Sequence, residues 1–219
     1  MEQYIILAGG MVGLPLLYYV FLWLCVPALC EDGEEKPKPL RSLPELLAMA
    51  LSEIAFGAIW HTWREGSISP LILCLLYVML AAMTVFCVTD YWQRLVPNRL
   101  LAVLLMMFVV IMGLWGLWDR DRVLAALPSV LLGFTFCFLC FGLGYFLSRK
   151  NMGAGDVKLA LVMGLYLTGN YVVAAVMYGC MAAAAFSLVQ LARKKLTRKD
   201  KIPFVPFLYM GLIIRYLAG

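Results

Sequence analysis

Two aspartates hold the chemistry that stands out in this chain, Asp90 in VTDYWQRLVPN and Asp156 in MGAGDVKLA. Each lies where a long apolar run meets a polar one. Two carboxylates that meet in a partly dry site share one proton, and such a pair can activate water against an amide carbonyl. The residues around them are of types that would shape such a site. Gly153 and Gly155 free the backbone for a sharp entry and leave room for a helix or an extended peptide. Pro97 suits a first helical turn, Asn98 and Arg99 mark the return to water, and Lys158 places a charge two positions after Asp156. Residues two apart on a helix do not share a face, so direct Asp156–Lys158 pairing within that helix is not expected. Plainer roles compete with this one. Asp156 could act only as the N-cap of the helix VKLALVMGLYL, and Asp90 could be a solvated helix end.

The elements that must position these acids follow from composition. Of 219 residues, 64% are hydrophobic and 14% charged, and the mean hydropathy is positive. Apolar runs of about 20 residues match a hydrocarbon layer of roughly 30 Å, so the expected fold is an all-α, polytopic membrane helix bundle. Eight apolar segments are expected, at residues 4–29, 44–62, 69–89, 97–118, 123–147, 156–168, 170–191 and 203–218. The sixth is too short to cross untilted. Only Thr168, Gly169 and Asn170 separate it from the seventh, so the two could form one irregular hairpin. Residues 1–51 read as an N-terminal membrane helix with a short cytosolic loop, and residues 52–219 as the core that holds both acids.

Basic residues resist translocation, which sets the expected orientation. One set of alternate loops holds fourteen Lys and Arg and the other holds four, namely Arg64, Arg120, Arg122 and Arg215. Both termini are therefore expected outside, and both aspartates on the cytosolic side. The first segment starts MEQY, without a basic n-region, and is expected to be a retained helix rather than a cleaved signal. Topology also accounts for the net charge of +5, so no nucleic-acid partner is expected. The run ARKKLTRKDK, residues 192–201, suits a loop at an anionic lipid surface.

Cysteine and histidine add no metal site to this reading. Cys137 and Cys140 form a single CFLC pair inside an apolar run, short of the four ligands of a tetrahedral zinc site. Cys74, Cys87 and Cys180 read as packing residues, and Cys25 and Cys30 have no standard site spacing. His61, between Trp60 and Trp63, reads as an interfacial anchor.

The joint pattern carries a family resemblance. DYWQRLVPNRLL resembles the D-x6-P-[DN] element of the type IV prepilin peptidases, and GAGDVKL resembles their GxGDxKL element. KIPFVPFLYMG, residues 201–211, is similar to the family's IPFGPFLALG, with Val205 where Gly is usual. SEIAFGAIWHTWREGSISP resembles the family's helix that opens with an acid, which would align Glu53 with that acid. The likeness covers roughly residues 52–211.

What the resemblance implies is a membrane aspartyl endopeptidase of the bacterial inner membrane. Asp90 and Asp156 would be its dyad, and Gly153, Gly155, Lys158, Pro97, Asn98 and Glu53 would shape the site. The implied substrate is a prepilin or pseudopilin, with a short basic leader on the cytosolic side and a hydrophobic helix in the bilayer. Proteolysis would need no cofactor. The family's long form has two CxxC pairs that bind zinc in the loop after the first helix, and it is associated with methylating the new N-terminus. Here that loop, CEDGEEKPKPLRSLPELL, has only Cys30. The chain is thus of the short form, zinc is not expected, and S-adenosylmethionine would matter only if methyl transfer were retained. Two other readings are a presenilin-like protease acting on other substrates and a proton-coupled transporter that uses Asp90, Asp156 and Glu53 as a relay. Oligomeric state is not set by the sequence.

Overall fold

The structure, a computed structural model, describes residues 2–29, 43–147, 153–193 and 203–218. Most of the cysteine-poor loop, including Cys30, and nearly all of the basic run 192–201 lie outside the described residues. Among the described residues every regular element is helical: α1 (Glu2–Leu29), α2 (Leu43–Arg64), α3 (Pro70–Gln93), α4 (Asn98–Trp118), α5 (Arg120–Cys137), a π-helical turn (Phe138–Gly142), α6 (Leu143–Leu147), α7 (Ala154–Ala192) and α8 (Val205–Leu217).

Local chemistry sets the ends of α3. Ser69 caps it, accepting the Ile72 N–H at 3.3 Å, and Pro70 fills a first-turn position where no N–H is needed. Arg94 closes it in a left-handed conformation (φ 54°, ψ 37°), donating its N–H to the Asp90 carbonyl at 2.9 Å. This helix is the centre of the bundle. Its membrane-length stretch is 72% buried, against 17% for α4 and 22% for the α5–α6 stretch, so the others pack around it and turn apolar faces outward.

Helices in lipid gain little from apolar association, so close backbone approach and buried hydrogen bonds must hold the bundle. Gly133 and Gly164 supply such a crossing between α5 and α7. A Cβ on either would come within 2.7 Å of the other's carbonyl oxygen. Gly211 and Gly179 make a second crossing between α8 and α7, where a Cβ on Gly211 would press on the Gly179 backbone and one on Gly179 would stand 2.9 Å from the Phe207 carbonyl oxygen. Four tyrosines add cross-helix donors: Tyr77 to Gly10 O (2.8 Å), Tyr166 to Leu104 O (2.6 Å), Tyr209 to Ala48 O (2.6 Å) and Tyr216 to Leu76 O (3.3 Å).

Helix α7 breaks at Thr168, whose φ of 58° and ψ of 169° are not helical. The next amide, Gly169 N–H, is taken by Ser129 Oγ at 3.2 Å. Past the break the chain reverses. Tyr171 packs on Tyr216 and Phe186 on Phe207, so the second half runs antiparallel to α8. The amide of Val205 meets Asp90 while Tyr216 reaches Leu76, so α8 in turn runs antiparallel to α3. The second half of α7 therefore returns to the end of the bundle where Asp90 lies.

Among the described residues six stretches are long and apolar enough to cross a membrane: Leu7–Cys25, Leu43–Arg64, Pro70–Gln93, Asn98–Trp118, Arg120–Leu147 and Tyr171–Ala192. Eight apolar segments are read in the sequence, and the difference lies in two short pieces. Residues 154–167 and α8, with 13 residues, each rise only about 20 Å at 1.5 Å per residue. Hydropathy marks them as apolar, but length keeps them from crossing a layer of roughly 30 Å untilted.

Candidate active site

Asp90 sits in the last turn of α3 and is 5% exposed. Its burial is balanced by a helix end. Val205, the first residue of α8, donates its backbone N–H to Asp90 Oδ2 at 3.0 Å. That N–H has no partner inside its own helix, and Pro206 beside it has none to offer. The IPFVPF stretch thus delivers a backbone donor to an acid 115 residues away, and the Arg94 charge also acts on the carboxylate.

Asp156 lies in the first turn of α7, ahead of the span that begins at Tyr171. It is not the N-cap. That position belongs to Gly153, whose carbonyl accepts the N–H groups of Asp156 (3.1 Å) and Val157 (3.4 Å). The Asp156 side chain is left to face the interior, half-buried. Burial first, and then the negative charge of Asp90, push its carboxyl up from the ordinary carboxylate range to about 6. The two acids thus come within electrostatic reach of each other at one end of the bundle.

The flanking residues fall into place around them. Lys158 donates to Asn98 Oδ1 at 3.1 Å, tying the first turn of α7 to that of α4. Pro97 is buried at the N-cap of α4, one position before its first helical turn, and its carbonyl accepts the Leu101 N–H at 3.3 Å. The chain's own groups fill the space beside both glycines. A Cβ on Gly153 would stand 2.9 Å from Asp156 Oδ2, and one on Gly155 would stand 3.1 Å from Val96 Cβ.

Glu53 is not brought to this end. It is half-buried in α2, with its charge acting on Tyr77 of α3, thirteen residues before Asp90. That offset is about 20 Å of helix. Val205, in contrast, carries no chemistry visible in its residue type, and the charge of Arg94 is put to use by its place one turn after Asp90. The signal that could have found Val205 is the Pro203-x-x-Pro206 bracket, which marks a helix start whose free amides must point at something. Among the described residues no three His, Cys, Asp or Glu side chains gather as a metal site. Cys137 packs in the core, and Cys140 lies exposed in the π-helical turn.

Comparison with known proteins bears on the same stretch of chain. The model of the type IV leader peptidase family matches residues 74–188, which include both aspartates. A prepilin leader peptidase/N-methyltransferase of Bacillus subtilis (strain 168) is 26% identical over 142 residues, 65% of this chain and 54% of that protein. A protein of the same name from Burkholderia pseudomallei (strain 1026b) is 26% identical over 175 residues, 79% of this chain and 54% of the relative. The chain spans about half the length of the curated relatives it matches. No solved structure matches. With the family model covering more than half of its residues, including the end of the bundle that holds Asp90 and Asp156, the chain belongs to the type IV leader peptidase family.

Proposed function

We propose that this chain is a membrane aspartyl endopeptidase that removes the leader peptide from type IV prepilins or pseudopilins, with Asp90 and Asp156 as its catalytic dyad. The observation that carries this reading is that both acids lie at one end of the bundle, near enough that the charge of Asp90 helps lift the half-buried Asp156 to about 6. A pair of that kind holds a single proton up to about pH 6.

In the proposed reaction the ionised member takes a proton from water as the water oxygen bonds to the scissile carbonyl carbon. The protonated member hydrogen-bonds the carbonyl oxygen and gives it its proton. The tetrahedral intermediate then collapses: a proton passes to the amide nitrogen, the C–N bond breaks, and a carboxylate and an amine leave. Neither acid has a fixed role, because such a pair titrates as a unit. The Val205 amide holds Asp90 in register, and Lys158 with Asn98 fixes the start of α7 against α4.

Arg94, Arg99, Lys158 and Arg193 lie at the end of the bundle that holds the acids, whereas Arg64, Arg120, Arg122 and Arg215 lie toward the other. The described residues alone split four against four; it is the loop count along the sequence, fourteen against four, that supports a site open to the cytosol in a bacterial inner membrane.

Methyl transfer enters through the name of the relatives and would use S-adenosylmethionine. The cavity of about 420 Å³ between α1, α2 and α3 does not fit such a donor. Its wall is built from Gly9, Gly10, Phe56, Trp60, Leu73 and Tyr77 among others, and the Tyr77 hydroxyl is already given to Gly10 O. Among the described residues that line it, none is a carboxylate that would hold a ribose or an amino group. The proposed chemistry is hydrolysis.

Cleavage of a prepilin by the purified chain, read by mass spectrometry of the mature N-terminus, tests the proposal. It would show the bond cut and any added methyl group. Full cleavage by Asp90→Asn or Asp156→Asn would overturn the dyad.

A further inference from the structure

Phe141, in the π-helical turn that follows α5, meets the segment that serves Asp90. Its ring lies against that of Phe204, with centroids 6.0 Å apart and planes inclined at 54°, a separation at which aromatic rings are in contact. Phe204 is the residue just before Val205, whose amide holds Asp90. The Phe204 amide also acts on that carboxylate. A pair of rings thus joins the α5 stretch to the donor of a buried acid.

The wide turn is what sends Phe141 there. Ala126, Val130, Gly133 and Cys137 form the buried stripe of α5. On a regular α-helix Cys140 and Phe141 would fall about 50° either side of that stripe. A π-helical turn holds more residues per turn, so Phe141 comes onto the stripe, 5% exposed, and Cys140 is left outside.

Phe204 is an unusual residue for the position it fills. N-caps favour Ser, Thr, Asn or Asp, whose side chains tie down the first turn. Phe204 is the N-cap of α8 and makes no such bond. Its carbonyl accepts the N–H groups of Phe207 (3.1 Å) and Leu208 (3.3 Å), and its side chain is left to pack. Further along, α8 is bonded to α2 through Tyr209 and to α3 through Tyr216. The first turn is the part whose place depends on the ring.

We propose that Phe141 is a positioning residue: through the Phe204 ring it sets where the Val205 amide stands, and so how the Asp90 carboxylate is held. A misplacement of about 1 Å in a reacting group can cost about a hundredfold in rate, so a ring at one remove from the acid has leverage on kcat. That effect on catalysis rests on the peptidase reading, but the hold on the Val205 amide does not.

Hydrogen exchange at the Val205 amide, read by NMR on the isotope-labelled full chain in detergent, tests the geometry without substrate. Phe141→Ala is expected to speed exchange at Val205 about tenfold, while Leu208 and Tyr209, one turn on, stay within about twofold. Phe141→Leu and Phe204→Leu break the ring pair from either side with less loss of volume, and each should speed Val205 exchange about threefold. No change at Val205 in the folded variants, or an equal rise at Leu208 and Tyr209, overturns the role.

Cleavage kinetics test the consequence for catalysis. Phe141→Ala should lower kcat about tenfold with KM held. In a Val205→Pro chain, which already lacks the donor, the same substitution should cost no more than about twofold. Losses that multiply in the double variant would show that Phe141 supports the fold rather than the donor, and would overturn the proposal. A wild type that cleaves no prepilin counts against the peptidase reading, while the exchange result still decides whether Phe141 holds the amide.

Discussion

The backbone N–H of Val205 reaches the carboxylate of Asp90 at 3.0 Å, joining the start of α8 to the end of α3. A free amide at a helix start thereby satisfies a buried acid. Val205→Pro deletes the donor while keeping a residue that the first turn tolerates, whereas Val205→Gly retains it. Cleavage should fall at least about tenfold in the proline variant and much less in the glycine variant, for a charge-assisted bond worth about 1.5–3 kcal/mol. Initial rates on a prepilin, compared with the melting temperature of each variant, check this.

Replacing either acid should remove the chemistry without removing the fold. Asp90→Asn and Asp156→Asn are expected to lower kcat at least about a thousandfold, within the range lost with general acid–base catalysis. Circular dichroism should stay unchanged. Asp156→Asn should melt no lower than the wild type at pH 7, since a half-buried charge is removed with it.

The titration of Asp156 gives a test that needs no substrate. Its carboxyl is pushed up to about 6 by burial and by Asp90. Asp90→Asn removes the second cause only, so the value should drop while staying above that of an exposed aspartate. Infrared titration of the carboxyl band reads this directly. The sign for stability follows. The folded chain holds a proton on Asp156 that the unfolded chain releases earlier, so stability falls as pH rises from about 4 to 6. Asp156→Asn should flatten that part of the curve.

Gly155→Ala would set a methyl 3.1 Å from Val96 Cβ, pushing the start of α7 away from the loop after Asp90. A loss of about tenfold in kcat/KM is expected, of the size that a small misplacement of reacting groups produces. Val96→Ala in the same chain should restore most of it. Independent, additive losses in the double variant would show that the close approach does not control the site.

Thr168 holds a conformation open almost solely to glycine. Thr168→Gly should therefore raise the melting temperature, by relief on the order of 1 kcal/mol, with little change in cleavage. Thermal unfolding in detergent measures it.

The positions of Asp90 and Asp156 were legible in the sequence because both sit at helix ends, where an apolar run stops and glycine or proline marks the turn. The partnership of Asn98 with Lys158 was not. It depends on α4 and α7 starting at the same depth, and spacing along one chain does not carry that. Glu53 illustrates the same gap. Its residue type made it a candidate, yet its charge acts on Tyr77, thirteen positions before Asp90 on α3, and the register of α2 against α3 that decides this is not carried by spacing along one chain. Val205 escaped because its contribution is a backbone amide, which residue identity does not advertise.

Both ends of α7 emerge on the side where Asp90 lies, since the chain turns back at Thr168. Whatever depth it reaches, α7 contributes an even number of crossings. Parity therefore shields the orientation of α8, and with it the Val205 amide, from the question of whether the first half of α7 spans the bilayer. During synthesis, residues 154–192 would enter the membrane as a single paired unit, and Asp156 would keep to the side from which it started.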